Sequence, residues 1–292
     1  MGRLVISALF DIIKQALRSW IANDPITHSA AAAYFAVFSL PGLMIIIVSI
    51  ATFFLDESIV RSEIQAYVGG FIGKEAALSI QSIIDNARIN NSGVMTLILG
   101  GAVVLFGATG FFVQLKNSFN AIWHVRPKPE KTLLRWLVNR GVSLSIAIMF
   151  GVLVLLSIYV SAGLKIVDHW IMGQFSGVDT LRILDLGLSY ITVSVLFTII
   201  FKILPDVRIR MRYALAGGFF SSFLFMIGEW GFAQVLSIAS PQSVFGAAGS
   251  VVLVMIWVTY GCMILQLGAE FIKALVQHYE EEIKTTRFVI RK

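Results

Sequence analysis

The stretch SVVLVMIWVTYGCMILQLGA, residues 250–269, runs through twenty positions without a charge and stops at Glu270. A helix rises 1.5 Å per residue, so about 20 apolar residues cross the ~30 Å hydrocarbon core of a bilayer. Lipid offers no partner to backbone N–H and C=O groups, so such a stretch must be an α-helix that closes its own hydrogen bonds. Five further stretches of the same kind precede it: 30–55, 94–115, 142–164, 186–201 and 213–236. All but 186–201 reach spanning length outright, and that one reaches it by taking in Ile183 and Leu184 or Ile203 and Leu204. The sequence therefore predicts an all-α, polytopic membrane protein of six transmembrane helices.

Composition agrees, with 57% hydrophobic and 14% charged residues against roughly 45–50% and 25% in soluble domains. The net charge of +6 would suit nucleic acid, but its placement follows the membrane. With the N-terminus inside, the cytoplasmic segments hold Arg3, Lys14 and Arg18; Lys116, Arg126, Lys128, Lys131, Arg135 and Arg140; Lys202, Arg208, Arg210 and Arg212; and Lys273, Lys284, Arg287, Arg291 and Lys292. Those are 18 of the 23 lysines and arginines. Only Arg61, Lys74, Arg88, Lys165 and Arg182 fall outside. The positive-inside rule then places both termini in the cytoplasm. The single cysteine, Cys262, lies in the sixth span, so there is no disulfide framework. The run from Leu4 to Phe10, broken by Asp11 and Lys14, is too short for a cleavable signal.

Residues 1–25 read as an amphipathic helix at the cytoplasmic interface. Ile6, Phe10, Ile13, Leu17 and Trp20 recur at helical spacing, opposite Arg3, Ser7, Asp11, Lys14 and Arg18. Such a face suits the headgroup boundary or packing on the protein's own loops. Asn23-Asp24-Pro25 ends it, and Asp24 or Thr27 is placed to cap the next helix. Residues 26–272 form the transmembrane domain. Pro41, in Ser39-Leu40-Pro41-Gly42, predicts a kink in the first span. The external segment 56–92 divides at Gly69-Gly70 and Gly73 into two short helices. Residues 273–292 form a charged cytoplasmic tail.

Polar groups inside a membrane are costly and face the bundle interior or a wet cavity. Gln114 and Asn117 on the second span, with Asn120, and Gln266 and Glu270 on the sixth all come near the cytoplasmic ends of their helices. They form either one polar cleft or hydrogen-bonded glue between helices, with Glu270 one turn from Lys273. Glu229 is a carboxylate within the fifth span, without a basic residue within four positions. It is the candidate for proton-coupled or headgroup contact. Arg126 and Lys128, in the segment Trp123-His124-Val125-Arg126-Pro127-Lys128-Pro129, and Arg208, Arg210 and Arg212 are candidates for anionic headgroups, although aromatics beside basic residues are also plain interfacial anchors. The four histidines are scattered, and no metal-binding spacing, P-loop or nucleophile elbow occurs. Neither catalysis nor a cofactor or metal is expected, and no nucleic-acid module is recognisable. Membrane lipids are the expected partners.

Several segments together resemble the YihY/BrkB-like family of bacterial inner-membrane proteins. They are Ser29-Ala30-Ala31-Ala32-Ala33-Tyr34-Phe35-Ala36 leading to Phe38-Ser39-Leu40-Pro41; Asn117-Ser118-Phe119-Asn120-Ala121-Ile122-Trp123; Leu204-Pro205-Asp206 with Arg212 before Gly217; and Phe245-Gly246-Ala247 through Trp257 to Leu267-Gly268-Ala269-Glu270. The resemblance implies a six-helix inner-membrane fold and marks Pro41, Asn120, Trp123 and Glu270 as motif positions without assigned chemistry. The family shows Tyr-Gly-Ala where this chain has Phe245-Gly246-Ala247. An old ribonuclease label attaches to the family, and the absence of metal-ligand spacing argues against it. Transport of an envelope lipid or lipopolysaccharide precursor is the function expected from the resemblance, with a non-catalytic factor that organises the envelope as the alternative.

Overall fold

In the computed structural model, residues 2–38, 109–127, 141, 145, 178–238, 248–279, 284–285 and 289–291 are described. The helices are α1 (Gly2–Ala22), α2 (helical over 25–38), α3 (helical over 109–122), α4 (Val178–Ile203), α5 (Met211–Ile238) and α6 (Ala248–His278). Four short strands accompany them: β1 (Val125–Pro127), β2 (Val207–Arg208), β3 (Lys284–Thr285) and β4 (Val289–Arg291). Pro41, Lys128, the segment 56–92 and most of the first three expected spans lie outside the described residues.

Two helices are long and apolar enough to cross a membrane, over Met211–Gln234 and Val251–His278, and α4 carries a shorter apolar stretch at Ser189–Ile203. The 31 residues of α6 extend about 46 Å at 1.5 Å each, so its last turns outrun a ~30 Å hydrocarbon core. α4 ends where Leu204 precedes Pro205, because the residue before proline is excluded from the helical region. Lys202 in its last turn complements the negative end of the helix dipole and donates to the carbonyl of Ile209 across the turn into α5.

α4, α5 and α6 approach closely through small residues. A Cβ built on Gly218 of α5 would meet Thr198 and the Ser194 carbonyl of α4, the latter at 2.7 Å. One built on Gly268 of α6 would meet Ser221 and Phe201. Small residues let helix backbones come near each other in lipid, where packing rather than hydrophobicity drives association. At one end of this bundle the core closes on Phe119, Phe201, Leu204 and Ile272, all fully buried, with Trp123, Val125, Val207 and Tyr213. The Phe119 and Phe201 ring centroids are 5.8 Å apart.

α1 lies against α6 at the same end. Ile12 and Ala16 bury against Phe271 and Ala274, and Gln15 donates to Gln277 at 2.8 Å. The expected apolar face is thus divided. Phe10, 66% exposed, Leu17 and Ile21 stay uncovered, while the neighbouring stripe centred on Ile12 and Ala16 meets the protein. Ala16 wins that contact because a small side chain admits a close neighbour. Asp24, at φ 46°, turns the chain into α2, with Pro25 at the first helical position, where its missing N–H costs nothing.

The charged tail is not a plain extension of α6. β3 pairs antiparallel with β2, Arg208 opposite Lys284, and β4 pairs with β1, Arg126 opposite Ile290. These two small ladders add strand to a chain read from its sequence as all helix. Two- and three-residue ladders were beyond the reach of a period-two pattern.

Candidate functional site

The end of the bundle that gathers the α1–α2 corner, the close of α3, the α4–α5 turn and the last turns of α6 holds the densest buried polar chemistry among the described residues. α3 arrives with Phe112, Leu115, Phe119 and Ile122 on its core face, and this stripe places Lys116 and Asn120 beside the turn after α4. Asn120 Nδ2 donates to Asp206 Oδ2 at 2.9 Å, and the Asp206 backbone N–H donates back to Asn120 Oδ1 at 2.9 Å. Lys116 Nζ stands 2.8 Å from Asp206 Oδ1. All three side chains are buried. The pair of bonds between Asn120 and Asp206 fixes the turn on the helix, and the ammonium balances the carboxylate. The two motifs around Asn120 and Leu204-Pro205-Asp206 therefore meet.

α6 supplies a second cluster. Gln266, buried, donates through Nε2 to Ser29 Oγ of α2 at 2.8 Å. One turn on, Glu270 is 1% exposed. Its Oε1 accepts from Asn23 Nδ2 at the α1–α2 corner, while Oε2 has no hydrogen-bond donor. Lys273 Nζ lies 3.8 Å from that oxygen. Its own hydrogen bond goes to the Ile122 carbonyl at the close of α3, at 2.8 Å, with His124 Nε2 3.4 Å away. Trp20 Nε1 donates to the Met263 carbonyl at 3.1 Å, a further tie between the corner and α6.

Of the five side chains expected to share a cleft, the structure thus divides three between partners. Asn120 goes to Asp206, Gln266 to Ser29 and Glu270 to Asn23. Gln114 is half-buried and its carbonyl accepts from Ser118 Oγ at 3.0 Å. Asn117 is exposed, because the large apolar residues, not the amides, set which face of α3 turns inward. Lys116, Asp206, Ser29 and Asn23 were not singled out as site residues from the sequence. The signals available were the Asp206 motif and the helix-breaking Asn23-Asp24-Pro25.

Around this core the basic side chains Arg126, Arg208, Arg210 and Arg212 are exposed. Arg212 covers the buried Tyr213 ring at 4.7 Å and donates to its hydroxyl at 2.8 Å. The tail strands bring β1, with Arg126, and β2, with Arg208, to the same end. Glu229 is remote from them: half-buried on α5, 18 residues from Met211, hence about 27 Å along the helix. It stands between Gly228, which packs against the Tyr260 side chain of α6, and Trp230, which is 68% exposed. Among the described residues no three His, Cys, Asp or Glu lie together as metal ligands would.

A family profile described as "Virulence factor BrkB" matches residues 16–288. The chain is similar to proteins named "UPF0761 membrane protein". It is 26% identical over 290 residues to one from Pseudoalteromonas atlantica, covering 92% of each chain. It is 27% identical over 266 residues to one from Aliivibrio fischeri, covering 89% of this chain and 81% of that one. The likeness to the protein of Saccharophagus degradans is 24% over 254 residues and takes in 85% of this chain but 56% of that one, so the chain spans little more than half the length of that relative. No solved structure matches the chain.

Proposed function

The chain belongs to the BrkB family of membrane proteins, and from that premise we propose that it is a carrier or conduit, in the bacterial inner membrane, for an amphipathic envelope molecule, a lipid or a lipopolysaccharide precursor. In this reading six helices span the bilayer, both termini face the cytoplasm, and the cargo crosses chemically unchanged. One observation carries it. An exposed apolar stripe runs along α5 through Met211, Leu215, Phe219, Phe223, Ile227 and Trp230, and it begins beside the exposed arginines of the α4–α5 turn. Acyl chains suit the first and an anionic headgroup the second, since each basic residue near a membrane surface attracts anionic lipid by about 1 kcal/mol. Arg126, drawn in by the tail strands, adds to the same end.

The test is lipid analysis of the purified protein by mass spectrometry. One anionic envelope lipid should co-purify, intact and in stoichiometric amount, and replacing Arg208, Arg210 and Arg212 together with Gln should reduce it several-fold. A lipid profile equal to that of the bulk membrane, indifferent to the substitutions, would remove the proposal. That outcome would favour the second reading, a non-catalytic factor that organises envelope components. Its support is that Gln266, Asn120 and Glu270 are all bonded to neighbouring segments rather than left lining a space.

A further inference from the structure

Among the described residues, Glu270 and Lys273 together tie three separate pieces of the polar end. Glu270 grows from α6, accepts from Asn23 of the α1–α2 corner, and faces Lys273, whose ammonium holds the last carbonyl of α3, that of Ile122. The carboxylate is 1% exposed, and its second oxygen has no donor. The ammonium that would complete the pair is 3.8 Å away and committed to α3. A buried carboxylate with one oxygen left open has a place for a proton, and burial favours its arrival against the Asn23 bond and the Lys273 charge that hold the ionised form.

We propose that Glu270 is a proton-binding site, and that its occupancy decides whether the α1–α2 corner stays clamped on α6. In the ionised state the Asn23 N–H···O⁻ bond is charge-assisted, about twice as strong as a neutral one, and Lys273 has a counter-charge. When Oε2 takes up a proton the bond to Asn23 becomes neutral. The proton takes the oxygen that has no hydrogen-bond partner, and Lys273 keeps the Ile122 carbonyl and His124. With its charge gone the carboxyl holds Asn23 less strongly, and the corner loosens. Among the described residues, the charged and titratable groups facing this carboxylate are Lys273 on α6 and, beyond it, His124 after α3. The corner itself contributes the uncharged amide of Asn23. A second positive charge on His124 beside Lys273 would instead favour the ionised carboxylate, so the two must be separated by experiment.

The device is independent of what the protein carries, and the loss of any co-purifying lipid would leave its test intact. Full-length protein in nanodiscs of phosphatidylethanolamine and phosphatidylglycerol is followed by amide hydrogen exchange over residues 20–30, corrected for intrinsic rates. Protection in the wild type should fall about tenfold between about pH 8 and about pH 5, the difference between a charged and a neutral hydrogen bond. Glu270→Gln, which cannot ionise, should show the low protection at both pH values. Asn23→Ala, which leaves the carboxylate in place, should lower protection at the higher pH and flatten the response. His124→Ala should retain the response. A wild type with equal protection at both pH values would overturn the proposal, as would a full response persisting in Glu270→Gln or in Asn23→Ala, or its loss in His124→Ala.

Discussion

Asp206 receives the Asn120 amide and the Lys116 ammonium on its two oxygens, at 2.9 and 2.8 Å, in a place with little water. Removing one member of a buried ion pair leaves the other without its counter-charge and costs about 3–5 kcal/mol. Asp206→Ala should therefore lower the thermal unfolding temperature in detergent sharply, whereas Lys116→Met combined with Asp206→Leu should lower it much less. Equal losses in the single and double variants would mean that the turn, not the pair, is what matters. This pairing was illegible in the sequence. Lys116 reads there as one more basic residue on the cytoplasmic side, and the carboxylate it meets is 90 positions away. Glu270 and Lys273 were legible as neighbours because helical spacing is local. Asn23 was not, since its bond to Glu270 exists only once α1 has folded against α6.

For the elements, the length of apolar sequence announced α5 and α6, but not which face of each helix would be covered. The apolar face with Phe10 and Leu17 suited either the headgroup boundary or packing on the protein; those two remain exposed, whereas Ile12 and Ala16, outside that face, make the contact with α6. Close approach selects small residues, and a hydrophobicity pattern weights large ones. The same rule makes opposite forecasts for two glycines of α5. Gly218→Ala gains up to about 1 kcal/mol of helix propensity, yet its methyl would press on the Ser194 backbone; overpacking of that kind costs about 1–3 kcal/mol, so the variant should be less stable. Nothing lies within 4 Å of a Cβ on Gly231, so Gly231→Ala should be neutral to stabilising. Unfolding in mixed detergent would measure both. A stable Gly218→Ala would show that α4 and α5 can move apart without loss.

The molecule as a whole is a helical membrane protein; among the described residues its fully buried charges gather at one end, and an exposed aromatic and aliphatic flank runs along α5. Its proposed orientation rests on the division of basic residues and is open to direct test. Cysteines introduced at Ser79, Ser176 and Gln242 should react with an impermeant reagent from outside intact cells, and those at Lys128 and Thr285 should not; external labelling at Lys128 would invert the arrangement. The tail strands bear on how such a chain is made. β4 pairs with β1 across about 160 intervening residues, and synthesis at about 5–20 residues per second delivers one roughly 10–30 s after the other. β1 and β2 thus wait without these strand partners while the later helices are made. Residues 284–285 and 289–291 close both ladders only after α6 has been made, so a copy interrupted before them leaves β1 and β2 without these partners.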